Sequence, residues 1–211
     1  MNHKIIINGK FLSQQLTGVQ RVAYELVRHI DQISTGNNNF ELALARDGKK
    51  MNLENITQKC VGHLRGNAWE QISLPMYAGK KRILNLGNVA PLISPNCTTF
   101  VHDISFHVNR NFFSKSFVAW YEFIMPKILE SSSQIFVNSE FTKREIIKFY
   151  GINENKISVF YLGHEHISSK KADSSNILKK IGLKRDEFIL VVSSRSPNKN
   201  FRRLCKAVKN I

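Results

Sequence analysis

The sequence has no apolar run approaching the roughly eighteen residues that a membrane-spanning helix needs. Its first residues, MNHKIIINGKF, hold one short apolar stretch and then a polar turn. They lack the long apolar centre of a secretory signal peptide. Cysteine is sparse: Cys60, Cys97 and Cys205 form no CxxC pair and leave an odd count. That argues against a disulfide framework or a zinc module, and a reduced, cytoplasmic protein is the simplest expectation. No GxSxG, HExxH or GxxxxGK[ST] pattern occurs, which removes the common serine-hydrolase, zinc-peptidase and P-loop readings. No known nucleic-acid-binding module is present either, so no nucleic-acid partner is expected beyond what charge alone attracts. Acidic residues are also scarce.

Against 16 Asp and Glu stand 31 Lys and Arg, a net charge of +15. The excess is uneven. Residues 168–211 carry 12 basic and 3 acidic side chains, net +9, and residues 1–167 carry 19 and 13, net +6. Such a field favours anionic partners, among them phosphorylated ligands and an anionic membrane face. A solubilising surface is the plainer alternative. Hydrophobic residues make up 42% of the 211, enough for one full domain and part of another.

Strand and helix patterns alternate along the chain. Short apolar runs at 4–8, 40–45, 82–86, 98–101, 134–138 and 156–161 read as strands. Helical periodicity spans 18–33, where Val22, Leu26, Ile30 and Ile33 share a face, and also 68–77, 114–129 and 141–150. Pro126 should kink or interrupt the third of these. Strands separated by helices imply an α/β fold with a parallel sheet covered on both faces. The polar, aperiodic stretch 164–175 reads as a linker after a first domain of residues 1–163. From 176 a second unit begins, with a helical turn at 177–181 and a strand at 188–193. An amphipathic helix follows, its apolar face formed by Phe201, Leu204, Val208 and Ile211.

In open parallel sheets, ligands sit beyond the carboxyl ends of the strands. Three such ends hold candidate residues. The loop GKFLSQQLTGVQR (9–21) runs into a helix. There Gly18 permits close backbone approach, the free N–H groups attract phosphate, and Arg21 adds a charge-assisted contact. A plain Thr17 N-cap on a surface helix remains the competing reading. In VHDISF (101–106), His102 leaves a strand end beside Asp103. The histidine can bond a sugar or share a proton, and Asp103 can orient the loop by accepting backbone N–H groups. A His–Asp pair that only stabilises a turn fits equally. In VNSEFTKREI (137–146), Ser139 reads as a structural N-cap, with Thr142 where a capping box has Glu or Gln. His164 and His166 have no accompanying ligand set, so no metal site is expected.

Taken in order, these stretches resemble the retaining glycosyltransferases of family 4. TGVQRVAYELV looks like that family's glycine loop and first helix, and WEQISLP and GNVAPL resemble stretches of its O-antigen and mannosyltransferase branch. TTFVHDISF, FVNSEFTKREI and KISVFYLG resemble its later N-terminal segments, and ILVVSSRSPNKNFRRLCKAV the first strand, loop and helix of its C-terminal domain. The resemblance implies a GT-B architecture: an N-terminal Rossmann-like domain that binds the acceptor, and a second Rossmann-like domain that binds the donor. It implies hexose transfer from a nucleotide diphosphate sugar to a saccharide or lipid-linked acceptor in cell-surface polysaccharide synthesis. No cofactor or metal is implied. The enzyme would be cytoplasmic or peripheral at the inner face of the membrane.

By the same resemblance, Gly18 would lie beside the donor diphosphate and His102 would contact the transferred sugar. Lys199 would neutralise the phosphates. Relatives carry an arginine five residues before that lysine, where this chain has Ser194, so Arg195 would take its place. By the same resemblance, the chain ends before the Glu-x7-Glu segment of the family's C-terminal domain, which holds the nucleotide sugar, so these 211 residues alone are expected to be inactive. The reading from a different class is a non-catalytic basic module held by charge to an anionic membrane or to nucleic acid.

Overall fold

A computed structural model describes residues 4–36, 39–94, 96–168, 177–184, 186–193 and 197–209. Its core is a single sheet of seven parallel strands. These are β1 (Ile5–Asn8), β2 (Phe40–Leu44), β3 (Thr57–Cys60), β4 (Ile83–Asn85), β5 (Cys97–Val101), β6 (Gln134–Val137) and β7 (Ile157–Val159). They lie in the order β3-β2-β1-β4-β5-β6-β7, all neighbours parallel. This is the Rossmann-like α/β fold expected from the alternating patterns. The order reverses between β1 and β4, and that switch point is where such sheets bind ligands.

The crossovers dictate which face each helix covers. From β1 the chain passes through α1 (Gly18–Ile33) to β2, moving one way across the sheet. Ala23 and Val27 of α1 pack with Ile7, Leu42 and Leu44. Beyond β4 the chain moves the other way, and right-handed connections then place the helices on the opposite face. There α5 (Lys115–Ser131) sets Ile124 and Ile128 against Ile6, Ile83 and Cys97. Next to it, α6 (Glu140–Tyr150) sets Ile146 among Val101, Ile135 and Val137. The expectation that both faces are covered holds only in part. On the α1 side, Leu84, Thr98 and Phe136 line an open groove of about 360 Å³.

Several local departures have physical causes. Strand β3, TQKC, is a polar edge strand without apolar periodicity. Only its pairing with β2 reveals it. The helix expected over 68–77 is composite: α2 (Gly66–Ala68), a π-helical turn (Trp69–Ser73) and α3 (Leu74–Ala78). The π turn ends two residues before Pro75, which cannot donate to a carbonyl four residues back. Helix α5 continues through Pro126 without interruption, because tertiary burial of Met125, Ile128 and Leu129 holds the segment on both sides of it. Between these elements lies α4 (Ser105–Val108).

Past the sheet, the expected linker begins with a helical turn, α7 (Glu165–Ser168), and α8 (Ile177–Lys180) forms as expected. Residues 188–193 form no strand. The sheet ends at β7 and does not include this segment. Helix α9 (Phe201–Val208) has the expected amphipathic pattern, with Phe201, Leu204 and Val208 exposed. Among the described residues no helix is long and apolar enough to cross a membrane.

Candidate functional site

A cleft of about 660 Å³ opens at the carboxyl ends of β1, β4 and β5, at the switch point of the sheet. Its walls come from segments far apart in the chain. The end of β1 and the turn after it give Asn8 and Lys10, and the start of α1 gives Thr17, Val19 and Gln20. Gly87–Val89 follow β4, and Asp103, Ser105 and Phe106 follow β5. One wall is the α5 surface, with Phe117, Trp120 and Tyr121.

At the α1 end, Gln20 Oε1 accepts the Thr17 backbone N–H at 3.2 Å, half of a capping box that fixes where the helix starts. Gly18 sits between the lining residues. A methyl group built on it would meet no atom within 4 Å, so packing inside the chain does not require glycine there. The contrast is Gly9, where a Cβ would lie 2.3 Å from the Ala43 carbonyl oxygen. Space above the α1 N-terminus is open to a ligand. Arg21 does not line the cleft; its guanidinium lies 3.8 Å from Glu25 on the exposed side of α1.

His102 and Asp103 have separate surroundings. The His102 ring is buried at 6% exposure, and its Nε2 lies 3.0 Å from the Leu86 carbonyl. Since that oxygen only accepts, Nε2 carries the proton. Burial pushes the imidazole's pKa down, which outweighs the Leu86 carbonyl and the Asp103 charge, so the ring is neutral. Its backbone N–H donates to Asn88 Oδ1 at 2.7 Å. His102 therefore clamps the Leu86–Asn88 loop from below, and the cleft wall is formed by Asp103. Asp103 Oδ1 accepts the Ser105 N–H at 2.9 Å, the loop-orienting bond expected of it.

Ser139 is a cap: its Oγ accepts the Thr142 N–H at 3.2 Å at the start of α6. Thr142 Oγ1 lies 3.4 Å from the His102 carbonyl, tying α6 to the same strand end. Lys199 is exposed in the turn Pro197–Lys199 and does not line the cleft. Ser194 and Arg195 lie outside the described residues. Among the described residues no cluster of His, Cys, Asp or Glu could hold a metal ion.

The strongest polar group in the cleft was not among the residues singled out from the sequence. Glu70, only 2% exposed, accepts Asn8 Nδ2 at 2.9 Å and pairs with Lys10 Nζ at 2.6 Å. Lys10 also donates to Asn67 Oδ1 at 2.7 Å, and Asn8 Nδ2 reaches Asn85 Oδ1 at 3.0 Å. The π turn places the adjacent Trp69 and Glu70 both inside, Trp69 donating from Nε1 to the Val61 carbonyl at 2.7 Å. The available signal was a carboxylate between Trp69 and an apolar helix interior, with Pro75 announcing irregular backbone downstream. No family model matches the chain, and no curated protein matches it.

Proposed function

We propose that this chain forms the acceptor-binding part of a retaining, family 4-like glycosyltransferase. It would move a hexose from a nucleotide diphosphate sugar to a saccharide or lipid-linked acceptor in the synthesis of a cell-surface polysaccharide. The observation that supports this reading most is convergence. Four segments that carry the resemblance, around Thr17, Glu70, Gly87 and Asp103, line one cleft at the switch point. The start of α1 offers the positive end of a helix dipole and an uncovered glycine, an environment that suits a diphosphate.

In the proposed reaction, the bond from the anomeric carbon to the diphosphate oxygen breaks, and its electron pair stays on that oxygen. A new bond forms from the anomeric carbon to the acceptor hydroxyl oxygen, whose proton ends on the departing diphosphate or in solvent. Negative charge grows on the leaving group, and fixed positive potential stabilises it. Gly18 and the α1 N-terminus would supply part of that potential. Lys199 and Arg195 would supply the rest from the donor side. His102 would act through the loop it clamps.

The test is transfer of labelled hexose from UDP- and GDP-hexoses to lipid-linked acceptors by the protein encoded by the complete reading frame. Product anomers would be assigned by NMR. Retained configuration supports the reading. Absence of both transfer and binding of any nucleotide diphosphate would sink it.

A further inference from the structure

We propose that Glu70 is a positioning residue for the loop after β1: through Asn8 and Lys10 it holds the turn Gly9–Ser13, and with it the start of α1, in the shape that the diphosphate site requires. It rests on the transferase reading only in calling the occupant of that site a diphosphate. The hold on the loop follows from contacts within this chain.

A carboxylate buried to 2% exposure has lost its water and needs partners that replace it. Both partners of Glu70 come from the end of β1 and the turn after it, not from its own helical segment. They are Asn8 Nδ2 at 2.9 Å and Lys10 Nζ at 2.6 Å. Removing two charges from water offsets most of what a buried pair gains, so such a pair contributes little net stability. What it supplies is a choice among arrangements, since few geometries let one carboxylate meet both donors.

The Asn8 amide carries the consequence into the loop. Its Oδ1 accepts the Lys10 backbone N–H at 3.1 Å, which caps the turn Gly9–Ser13. Its Nδ2 donates to Glu70 Oε1 and, at 3.0 Å, to Asn85 Oδ1. Turned over, the amide would set an oxygen against two oxygens and an N–H group against an N–H group. Glu70 therefore helps to fix the orientation that caps the turn. Lys10 adds a second tie: its ammonium also donates to Asn67 Oδ1 at 2.7 Å, and its carbonyl accepts the Ser13 hydroxyl at 2.9 Å.

From the turn, polar contacts run on to α1. The Gln14 N–H donates to the Phe11 carbonyl at 3.4 Å, and Gln14 Oε1 accepts Gln20 Nε2 at 3.0 Å. Gln20 in turn accepts the Thr17 N–H at the helix start. Gln14, Thr17 and Gln20 line the same cleft as Asn8, Lys10 and Glu70. Charge makes the role testable by its sign. The negative charge of Glu70 opposes an anion in this cleft, so losing the charge alone would tighten anion binding. Losing the hold on the loop would weaken it, because the ligand must then pay to order the site.

The experiment titrates inorganic pyrophosphate into the isotope-labelled 211-residue chain and follows backbone amide shifts. The wild type should bind saturably, with shifts at Gly18, Val19 and Gln20. Glu70→Gln should weaken binding about ten-fold, as expected for a lost hydrogen bond to a charged group. Without ligand it should also shift the amides from Lys10 to Gln20. A glutamine cannot serve both partners, because its amide offers one acceptor where Asn8 and Lys10 both donate. Adding Asn67→Asp gives Lys10 a carboxylate again and should recover most of the affinity, although it returns negative charge to the cleft. Tighter binding by Glu70→Gln, or further weakening on adding Asn67→Asp, would assign Glu70 a charge effect alone and overturn the proposal. Unmoved Lys10–Gln20 amides in Glu70→Gln would overturn it whatever the wild type binds, since a pair that only stabilises lowers the thermal midpoint without reshaping the loop. Wild-type affinity in Glu70→Gln would overturn it and leave the diphosphate reading standing. No pyrophosphate binding by the wild type, with amides that shift in Glu70→Gln and return with Asn67→Asp, would keep the positioning role and count against the diphosphate reading.

Discussion

Two glycines in one loop show how much a single residue's surroundings matter. A Cβ on Gly9 would run into the Ala43 carbonyl, and one on Gly18 would meet nothing within 4 Å. Replacing Gly9 with alanine drives a methyl group into backbone that cannot yield, at a cost of about 1–3 kcal/mol in urea unfolding. Gly18→Ala, in the first turn of α1 and without positive φ, should leave stability unchanged or slightly raised. Under the proposed function it should also weaken diphosphate binding, so unchanged binding would count against the α1 end as the phosphate site. His102 adds a pH dependence. Its folded pKa lies below the unfolded value of 6.5 because the ring is buried. The folded state therefore binds fewer protons than the unfolded state below that value. Stability is complete above about pH 6.5 and falls as pH drops toward the lowered folded pKa, by at most about 1.4 kcal/mol per pH unit. Urea midpoints at neutral and mildly acidic pH should diverge more for the wild type than for His102→Gln. Equal losses would place the effect elsewhere.

Among the elements, those with a clear period were the ones that sequence reading located. Helix α1 begins and ends where its apolar stripe and Thr17 place it, and β1, β2, β5 and β6 follow their apolar runs closely. Ser139 was legible as a cap because the hydroxyl's role is local. Ser139→Ala should remove about 1 kcal/mol, read as a lower thermal midpoint, since the Thr142 N–H loses its partner. A midpoint unchanged by that substitution would show that water replaces the cap. Elements fixed by their neighbours were not legible. Strand β3 has no pattern of its own, and the π turn at Trp69–Ser73 depends on Pro75 together with what Trp69 and Glu70 find in the interior. The segment 188–193 has strand composition but is not part of the sheet.

The chain is strongly basic overall, although Glu70 and Asp103 are among the residues that line the cleft. The surface charge should bring the chain to anionic vesicles at low ionic strength. Binding should fall steeply between about 0.1 M and 1 M salt, as the screening length shortens from about 10 Å to about 3 Å. Sedimentation with phosphatidylserine vesicles measures this, and the 168–211 segment, with net +9, should account for more than half of the effect. Attachment that resists salt would instead implicate apolar contacts, such as the exposed Phe123 on α5 and the uncovered face of α9.

Period, capping chemistry and charge are properties of neighbours in the chain. The sequence by itself therefore determined the alternation of strands and helices, the parallel sheet, the starts of α1 and α6, and the basic balance. It also pointed to three strand ends, and Asp103 reaches the cleft from one of them. Only the tertiary structure decided that the His102 ring turns inward to Leu86, that Arg21 faces Glu25, and that Glu70 meets Asn8 and Lys10 across about sixty residues of chain. Those pairings depend on strand order and on which face each crossover covers. Both are set by burial and hydrogen-bond satisfaction over the whole sheet, which no local window contains.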